Sequence, residues 1–247
     1  MKILSWNILA NEFIQERYYT MIPSQLLFNR QKRQERIIET LKQTEADLML
    51  LQEVMQSEYN LLHSEFNKTY HLIRGKYIQW QKNKRNYSGN VILLRKNMFS
   101  PAKNSIDLGF GLAIQCHFLN NNEIPLLILN VHLDDLTQKN RLQQIKELEP
   151  LLLSQYHAKI ILGGDFNEHY TPAARLYKTL STNYHLTTYN REPTYYIEKK
   201  MCIDHILLKG FAKKKIDSKV INDFGDDVVQ QFTNYGSDHL PVMLTSK

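Results

Sequence analysis

Asp165 and Asn167 stand two residues apart in "ILGGDFNEHY", where an apolar run is broken by two glycines. A carboxylate and a carboxamide at that spacing suit one reacting centre, the first acting on a water and the second donating to an anionic oxygen. Alternation along a strand predicts that both point to the same side. Gly163 and Gly164 predict a backbone that turns at the strand end and approaches a ligand closely. The same stretch equally describes an Asx turn closing a connection between a strand and a helix.

Polar residues interrupt other apolar runs at corresponding places. Asn7 follows "ILSW", Glu53 follows "LMLLQ", His132 follows "LILNV", Asp204 sits in "CIDHILL", and Asp238 with His239 precedes "LPVML". Each has a structural alternative when read singly. Asn7 forms a turn beside a core tryptophan, and Glu53 complements the dipole of a helix in "QSEYNLLHSEF". His132 is a core histidine, and Asp238 caps the turn in "YGSDHLP". Their conjunction argues for more. An ionised carboxylate buried without a partner costs several kcal/mol, so acids at successive strand ends imply a cation or mutual pairing. Hard oxygens plus imidazole, with no cysteine cluster, suit Mg²⁺, or Mn²⁺, better than zinc. Such a cation, with His132, His239 and amide donors aimed at a phosphoryl group, would stabilise the charge that in-line displacement spreads over oxygen.

These side chains need elements to hold them. Strand-length runs recur at "KILSWNIL", "DLMLLQEV", "GNVILLRK", "LAIQCHFL", "IPLLILNVHL", "KIILGGDF", "CIDHILLK" and "LPVMLT". Helical stripes occur in "RQERIIETLKQTE" and "TQKNRLQQIKELE", the second with Thr137 as N-cap and Pro150 ending or kinking it. Many strands with interspersed helices predict two packed sheets with helices outside. The 247 residues contain no repeat and no linker, so one domain over 1–247 is expected, large enough for a core without disulfides. With 43% hydrophobic and 23% charged residues the composition excludes a disordered or fibrous chain.

The formal charge of +6 suits a polyanionic partner. Residues 76 to 87, "KYIQWQKNKRNY", interleave Lys82, Lys84 and Arg85 with Tyr77, Trp80 and Tyr87, a mixture able to contact phosphates and stack bases. A solvated basic loop is the alternative. Cys116 and Cys202 lie in apolar runs and read as buried, unpaired thiols of a reducing compartment. No apolar run spans a membrane and the first residues lack a cleavage signal, so a cytoplasmic location is expected, with a monomer favoured.

Trp6-Asn7, "LLQEV" (50–54), "NVHL" (130–133), "GGDFN" (163–167), "IDHIL" (203–207) and "GSDHLPV" (236–242) together resemble the ordered motif series of the endonuclease/exonuclease/phosphatase superfamily. The resemblance implies a four-layered α/β sandwich, two mixed β-sheets face to face with helices on the outside, and Mg²⁺-dependent phosphoester hydrolysis at the sheets' shared edge. It implies Glu53 as principal metal ligand, with Asp165, Asn167 and Asp238 also near a metal, and Asp165 as base or orienter for the attacking water. Asn7 and Asn167 would help hold phosphate or metal, and Asp204 would pair with His239. The histidine in "NVHL" resembles the deadenylase-like, sphingomyelinase-like and tyrosyl-DNA-phosphodiesterase-like branches; the long stretch between the first two motifs looks most like the deadenylase group and "PTYY" is compatible with it, whereas Asp134-Asp135 would add negative charge beside a phosphate site. Three functions follow for comparison. They are a nuclease, a phosphatase or phosphodiesterase on lipid, inositol or terminal or cyclic RNA phosphates, and a binding module that has lost catalysis.

Overall fold

The computed structural model describes residues 1–75, 78–79, 87–154, 156, 158–197, 199–212 and 216–246, with backbone alone for 78–79, 87 and 121–124. In chain order the elements are β1 (Lys2–Asn7), α1 (Ser24–Leu27), α2 (Arg30–Thr44), β2 (Leu48–Met55), α3 (Gln56–Phe66), β3 (Tyr70–Arg74), β4 (Ile78–Gln79) and β5 (Tyr87–Arg95). Then come β6 (Phe99–Asp107), β7 (Gly111–Phe118), β8 (Asn121–His132), α4 (Gln138–Glu147), α5 (Glu149–Leu152), β9 (Lys159–Asp165) and α6 (Arg175–Tyr184). The chain ends with β10 (Thr187–Thr188), β11 (Asp204–Lys209), β12 (Ile216–Val220), α7 (Val228–Tyr235) and β13 (Val242–Ser246).

One sheet runs β12-β13-β1-β2-β5-β3, with β4 paired to β5; the other runs β10-β11-β9-β8-β7-β6. Both are mixed and they pack face to face, giving a four-layered α/β sandwich. Alternation along the strands builds the layers. Leu126 and Ile128 of β8 and Ile161 of β9 join the core that contains Leu50 of β2 and Ile92 of β5. Leu127, Leu129, Ile160 and Leu162 face the other way, onto Ile145 of α4 and Leu176 and Leu180 of α6. On the opposite flank Ile37 and Leu41 of α2 and Leu62 and Phe66 of α3 cover the first sheet.

All eight apolar runs form strands. The strands that carried no apolar run are β3, β4, β6, β10 and β12. β3, β6, β10 and β12 end the two sheet orders, and β4 lies off the path of the first sheet. β6, "FSPAKNSID", is exposed along most of its length, so nothing selects an apolar run there. Thr137 accepts from the Asn140 backbone N–H at 3.1 Å as the expected N-cap. Pro150 does not kink α4; α4 ends at Glu147 and the proline starts the short α5, where its missing N–H breaks no helical bond. Cys116 and Cys202 are buried and unpaired, and burial pushes both thiols up to about 12.

His205 of β11 is fully buried among the rings of Phe166, Tyr170 and Tyr177, with Nε2 3.3 Å from the Cys202 carbonyl. Desolvation drives its pKa down to about 3, against about 6.5 in an unfolded chain. Between those values the unfolded state binds a proton that the folded state refuses. Its contribution to stability is therefore complete above about pH 6.5 and falls by about 1.4 kcal/mol per unit as pH drops toward 3. Urea unfolding of a His205→Gln variant should accordingly depend less steeply on pH between about 6 and 4.5 than that of the wild type. Equal steepness in the two proteins would show that this histidine is not the group involved.

Candidate active site

Strand register assembles the site. β8 and β9 run parallel with His132 opposite Asp165, and β9 and β11 run antiparallel with Asp165 opposite Asp204. In the other sheet β1 and β2 run parallel with Asn7 opposite Gln52, next to Glu53. Asn7, His132 and Asp165 are each the last residue of their strand, and Asp204 is the first of β11. The sheets therefore deliver them to one shared edge.

Asp165 Oδ2 lies at the centre. The Asn7 side-chain amide donates to it at 3.1 Å and to Glu53 Oε1 at 2.8 Å. The Leu9 backbone N–H donates to Asn7 Oδ1, which fixes that amide with its N–H groups facing the two acids. His132 Nε2 is 3.7 Å from Asp165 Oδ2 and 3.9 Å from Glu53 Oε1. His239 Nε2 approaches the same Asp165 oxygen from another loop, also at 3.7 Å. Leu9, Glu53 and Asn167 all have positive φ (55°, 58° and 49°), a conformation that side chains disfavour, so strain collects around this centre.

The Asx-turn reading of "GDFN" holds, and the same Asp165 carboxylate also faces the other residues expected at the site. Asp165 Oδ1 accepts from the Asn167 backbone N–H at 2.8 Å, an Asx turn, while Oδ2 faces the other site residues. Strand alternation does not place Asn167, because β9 stops at Asp165. A left-handed turn positions it, and its amide donates to the Leu133 carbonyl at 2.9 Å. The glycines are also corrected. They lie inside β9 and make room for protein rather than ligand. A Cβ on Gly163 would meet Leu50 Cδ1 at 2.5 Å and one on Gly164 would meet the Val131 carbonyl oxygen at 1.8 Å.

His239 Nδ1 pairs with Asp204 Oδ2 at 2.9 Å. Desolvation disfavours a charged imidazole there, but Asp204, Asp165 and Asp238 together outweigh it and hold the His239 pKa well above its ordinary value. Burial likewise raises Asp204 and Glu53, opposed for Asp204 chiefly by His239 and for Glu53 chiefly by His132. The loop carrying His239 is tied to β1, since the Trp6 indole N–H donates to the His239 carbonyl at 2.9 Å and the Ser237 hydroxyl to the Asn7 carbonyl at 2.7 Å.

Asp238 faces elsewhere from its neighbour. Its Oδ2 accepts from the Tyr19 hydroxyl at 2.9 Å, and its buried Oδ1 has no hydrogen-bond partner among the described residues. The Asp134 carboxylate is bound within its own loop, accepting from the backbone of Leu136 and Thr137 and from Asn140, bonds that favour its ionised form. Lys82, Lys84 and Arg85 lie outside the described residues.

Two supporting residues were not singled out from the sequence. Arg33 of α2 is buried and donates to the carbonyls of Gly236, at 2.7 Å, and Leu9, at 2.6 Å, thereby joining the loop after Asn7 to the loop before His239. Tyr19 belongs to the long segment between β1 and α2. Arg33 sits in a charge-rich helix start and Tyr19 in a segment without periodicity, so neither stood out.

The residues fit a hard divalent cation. Glu53 and Asp165 turn oxygens toward one point, Asp238 keeps an unpartnered buried oxygen close enough to raise Glu53, and burial makes the charge on Glu53 costly without a counter-charge. Asp165, Asp204 and His239 can bring ligand atoms within 4.8 Å of one another, but the bond from His239 to Asp204 commits that pair to each other.

The model of the Endonuclease/Exonuclease/phosphatase family matches residues 4–239. The chain belongs to this family. Among solved structures it is similar to ANGEL2, a 2′,3′-cyclic phosphatase, at 16% identity and TM-score 0.78 over 98% of this chain and 93% of that one. An endonuclease/exonuclease/phosphatase from Bacteroides vulgatus aligns at 16% identity and TM-score 0.73, covering 100% and 98% of the two chains. The human Nocturnin catalytic domain aligns at 17% identity and TM-score 0.71, covering 100% and 94%. No curated protein sequence matches. Family members are hydrolases of phosphoester bonds, and among the described residues no helix is long and apolar enough to cross a membrane.

Because His239 and Asp204 share one bond in a buried setting, they should act as a unit. Asp204→Asn and His239→Gln should each lower kcat/KM by roughly 10²–10⁴-fold, and the double variant little further. A double-variant loss equal to the product of the single losses would refute the coupling.

Proposed function

We propose that this chain is a Mg²⁺-dependent phosphodiesterase acting on nucleic acid, most simply on single-stranded RNA in the manner suggested by its deadenylase-like motifs. The observation that carries the reading is the convergence of Asn7, His132 and His239 on one oxygen of Asp165, with Asn7 and His132 also reaching Glu53. Acids, imidazoles and an oriented amide at one point match the needs of a phosphoryl group, whose attack builds charge on several oxygens at once.

Each residue has a separable task. Glu53, with Asp238 and the Asn167 carboxamide nearby and Asp165 at the edge of its reach, would hold the cation, which would polarise the phosphoryl oxygen and offset the charge that develops there. Asn7 keeps the two acids aligned through its fixed amide. Asp165 accepts the proton of the attacking water through Oδ2. His239, kept protonated by Asp204, donates to a phosphoryl oxygen from one side, and His132 donates from the other. Mn²⁺ would serve the same oxygen-rich set.

A second reading is hydrolysis of a terminal or cyclic RNA phosphate. The likeness to a structure described as a 2′,3′-cyclic phosphatase, over 98% of this chain, favours including it. The same residues would perform either reaction, so the product decides.

Glu53→Gln keeps the size of the side chain and removes its charge. It should lower kcat by roughly 10²–10³-fold at saturating Mg²⁺ and weaken Mg²⁺ binding measured by calorimetry, with the fold retained. Wild-type kcat in that variant would overturn the metal assignment. The wild type should be assayed with Mg²⁺ on single-stranded RNA and DNA, poly(A), cyclic-phosphate ends, sphingomyelin and inositol phosphates. Turnover confined to lipid or inositol phosphates would overturn the nucleic-acid reading.

A further inference from the structure

Outside the site, a groove of about 550 Å³ runs along the outer side of the second sheet, between α6 and the paired strands β10 and β11. Its position follows from the strands that carry the site. The Asn190 amide donates to the Asp204 carbonyl at 3.1 Å, which sets Arg191 at the catalytic end of β11. Lys209 and Phe211 line the far end, five residues along a strand that rises about 3.3 Å per residue. The two basic ends of the groove, at Arg191 and Lys209, are therefore separated by roughly 17 Å along the strand, with Arg191 nearer the active-site edge.

Its walls have one chemical character. Tyr189 and Phe211 supply aromatic rings, Tyr170 backs the Arg191 guanidinium, and Arg191, Lys209 and His185 supply basic groups. No Asp or Glu is among the described residues that line it. The Arg191 guanidinium lies over the Tyr170 ring at 4.1 Å, at the end of the groove nearer the active site. The Lys209 ammonium donates to the Leu152 carbonyl at 3.1 Å, which fixes it while leaving further N–H groups to donate. Rings and cations lining one open channel match single-stranded nucleic acid, whose bases stack on rings while its phosphates track positive charge.

We propose that this groove binds the body of a single-stranded polynucleotide whose reactive phosphate occupies the active site. The inference rests on the nucleic-acid reading above and adds to it a second binding surface, on the side of β11 and α6. A span of roughly 17 Å holds a few nucleotides, so the groove distinguishes long strands from short ones.

The test reads binding, independently of cleavage. Affinity for a fluorescent 2′-O-methyl oligoadenylate of about ten nucleotides, which resists hydrolysis, is measured by anisotropy across a salt series for the wild type, Arg191→Glu and Lys209→Glu. Each variant should bind about tenfold more weakly, with the slope of log K against log [salt] reduced by roughly 0.7 per lost phosphate contact. Hydrolysis of bis(p-nitrophenyl) phosphate should stay within about twofold of wild type, because neither side chain touches the catalytic carboxylates. The two variants stand at opposite ends of the groove, so misfolding of one leaves the other to decide. Unchanged affinity and slope, or no oligonucleotide binding by the wild type, would overturn the groove. Binding without cleavage of any nucleic acid would leave the groove standing and overturn the nuclease reading instead.

Discussion

The structure depends on concentrated negative charge at one edge of two sheets. Asp165 stands directly opposite Asp204 in the β9–β11 ladder, and the Asn7 amide bridges Asp165 to Glu53. Like charges opposite one another destabilise a sheet, and buried carboxylates without counter-charge cost several kcal/mol each. The protein offsets one part internally by protonating His239 against Asp204. The remainder, on Glu53 and Asp165, is left facing the place where a cation and an anionic substrate would meet.

Such an arrangement needs a rigid spacing between the two sheets, and a buried polar clamp supplies it. Gln52 of β2 donates to Asn130 Oδ1 of β8 at 2.6 Å, and the Asn130 amide donates back to the Leu51 and Val91 carbonyls at 2.9 Å each. Gln52 adjoins Glu53 and Asn130 is two residues before His132. The bond across the core therefore fixes the separation of an acid from one sheet and an imidazole from the other. Gly163 serves the same end, since only a residue without Cβ lets Leu50 come so close to β9. Apolar packing alone would allow the sheets to slide, whereas amide bonds of defined direction do not.

Much of this was legible in the sequence because site residues lie within or beside buried strands, near one end of each. A polar side chain that interrupts or borders an apolar run is conspicuous, which is why Asn7, Glu53, His132, Asp165, Asp204 and His239 could be named, and the structure brings them to one edge. Edge strands were illegible for the complementary reason. β6 and β12 bury little, so their sequences carry no apolar run. The glycines misled because a missing side chain signals close approach without naming the neighbour, which here is β8 and the opposing sheet. Arg33 was hidden because a charged residue near a helix start usually faces water, and only the tertiary fold turns it inward.

Arg33 also explains why the segment between β1 and α2 can be long without loosening the site. Its guanidinium is buried against carbonyl oxygens rather than a carboxylate, so desolvation lowers its pKa while nearby Asp238, Tyr19, Glu58 and Glu53 oppose the shift. Holding a full positive charge there requires carbonyls converging from both loops, from Leu9 on one side and Gly236 on the other. The charge is therefore stable only when the two loops are in register. One loop follows Asn7 and the other precedes His239, so a single buried guanidinium couples the placement of the amide that bridges the two acids to that of the His239 imidazole. Catalytic alignment thus depends on a side chain that need not touch substrate at all.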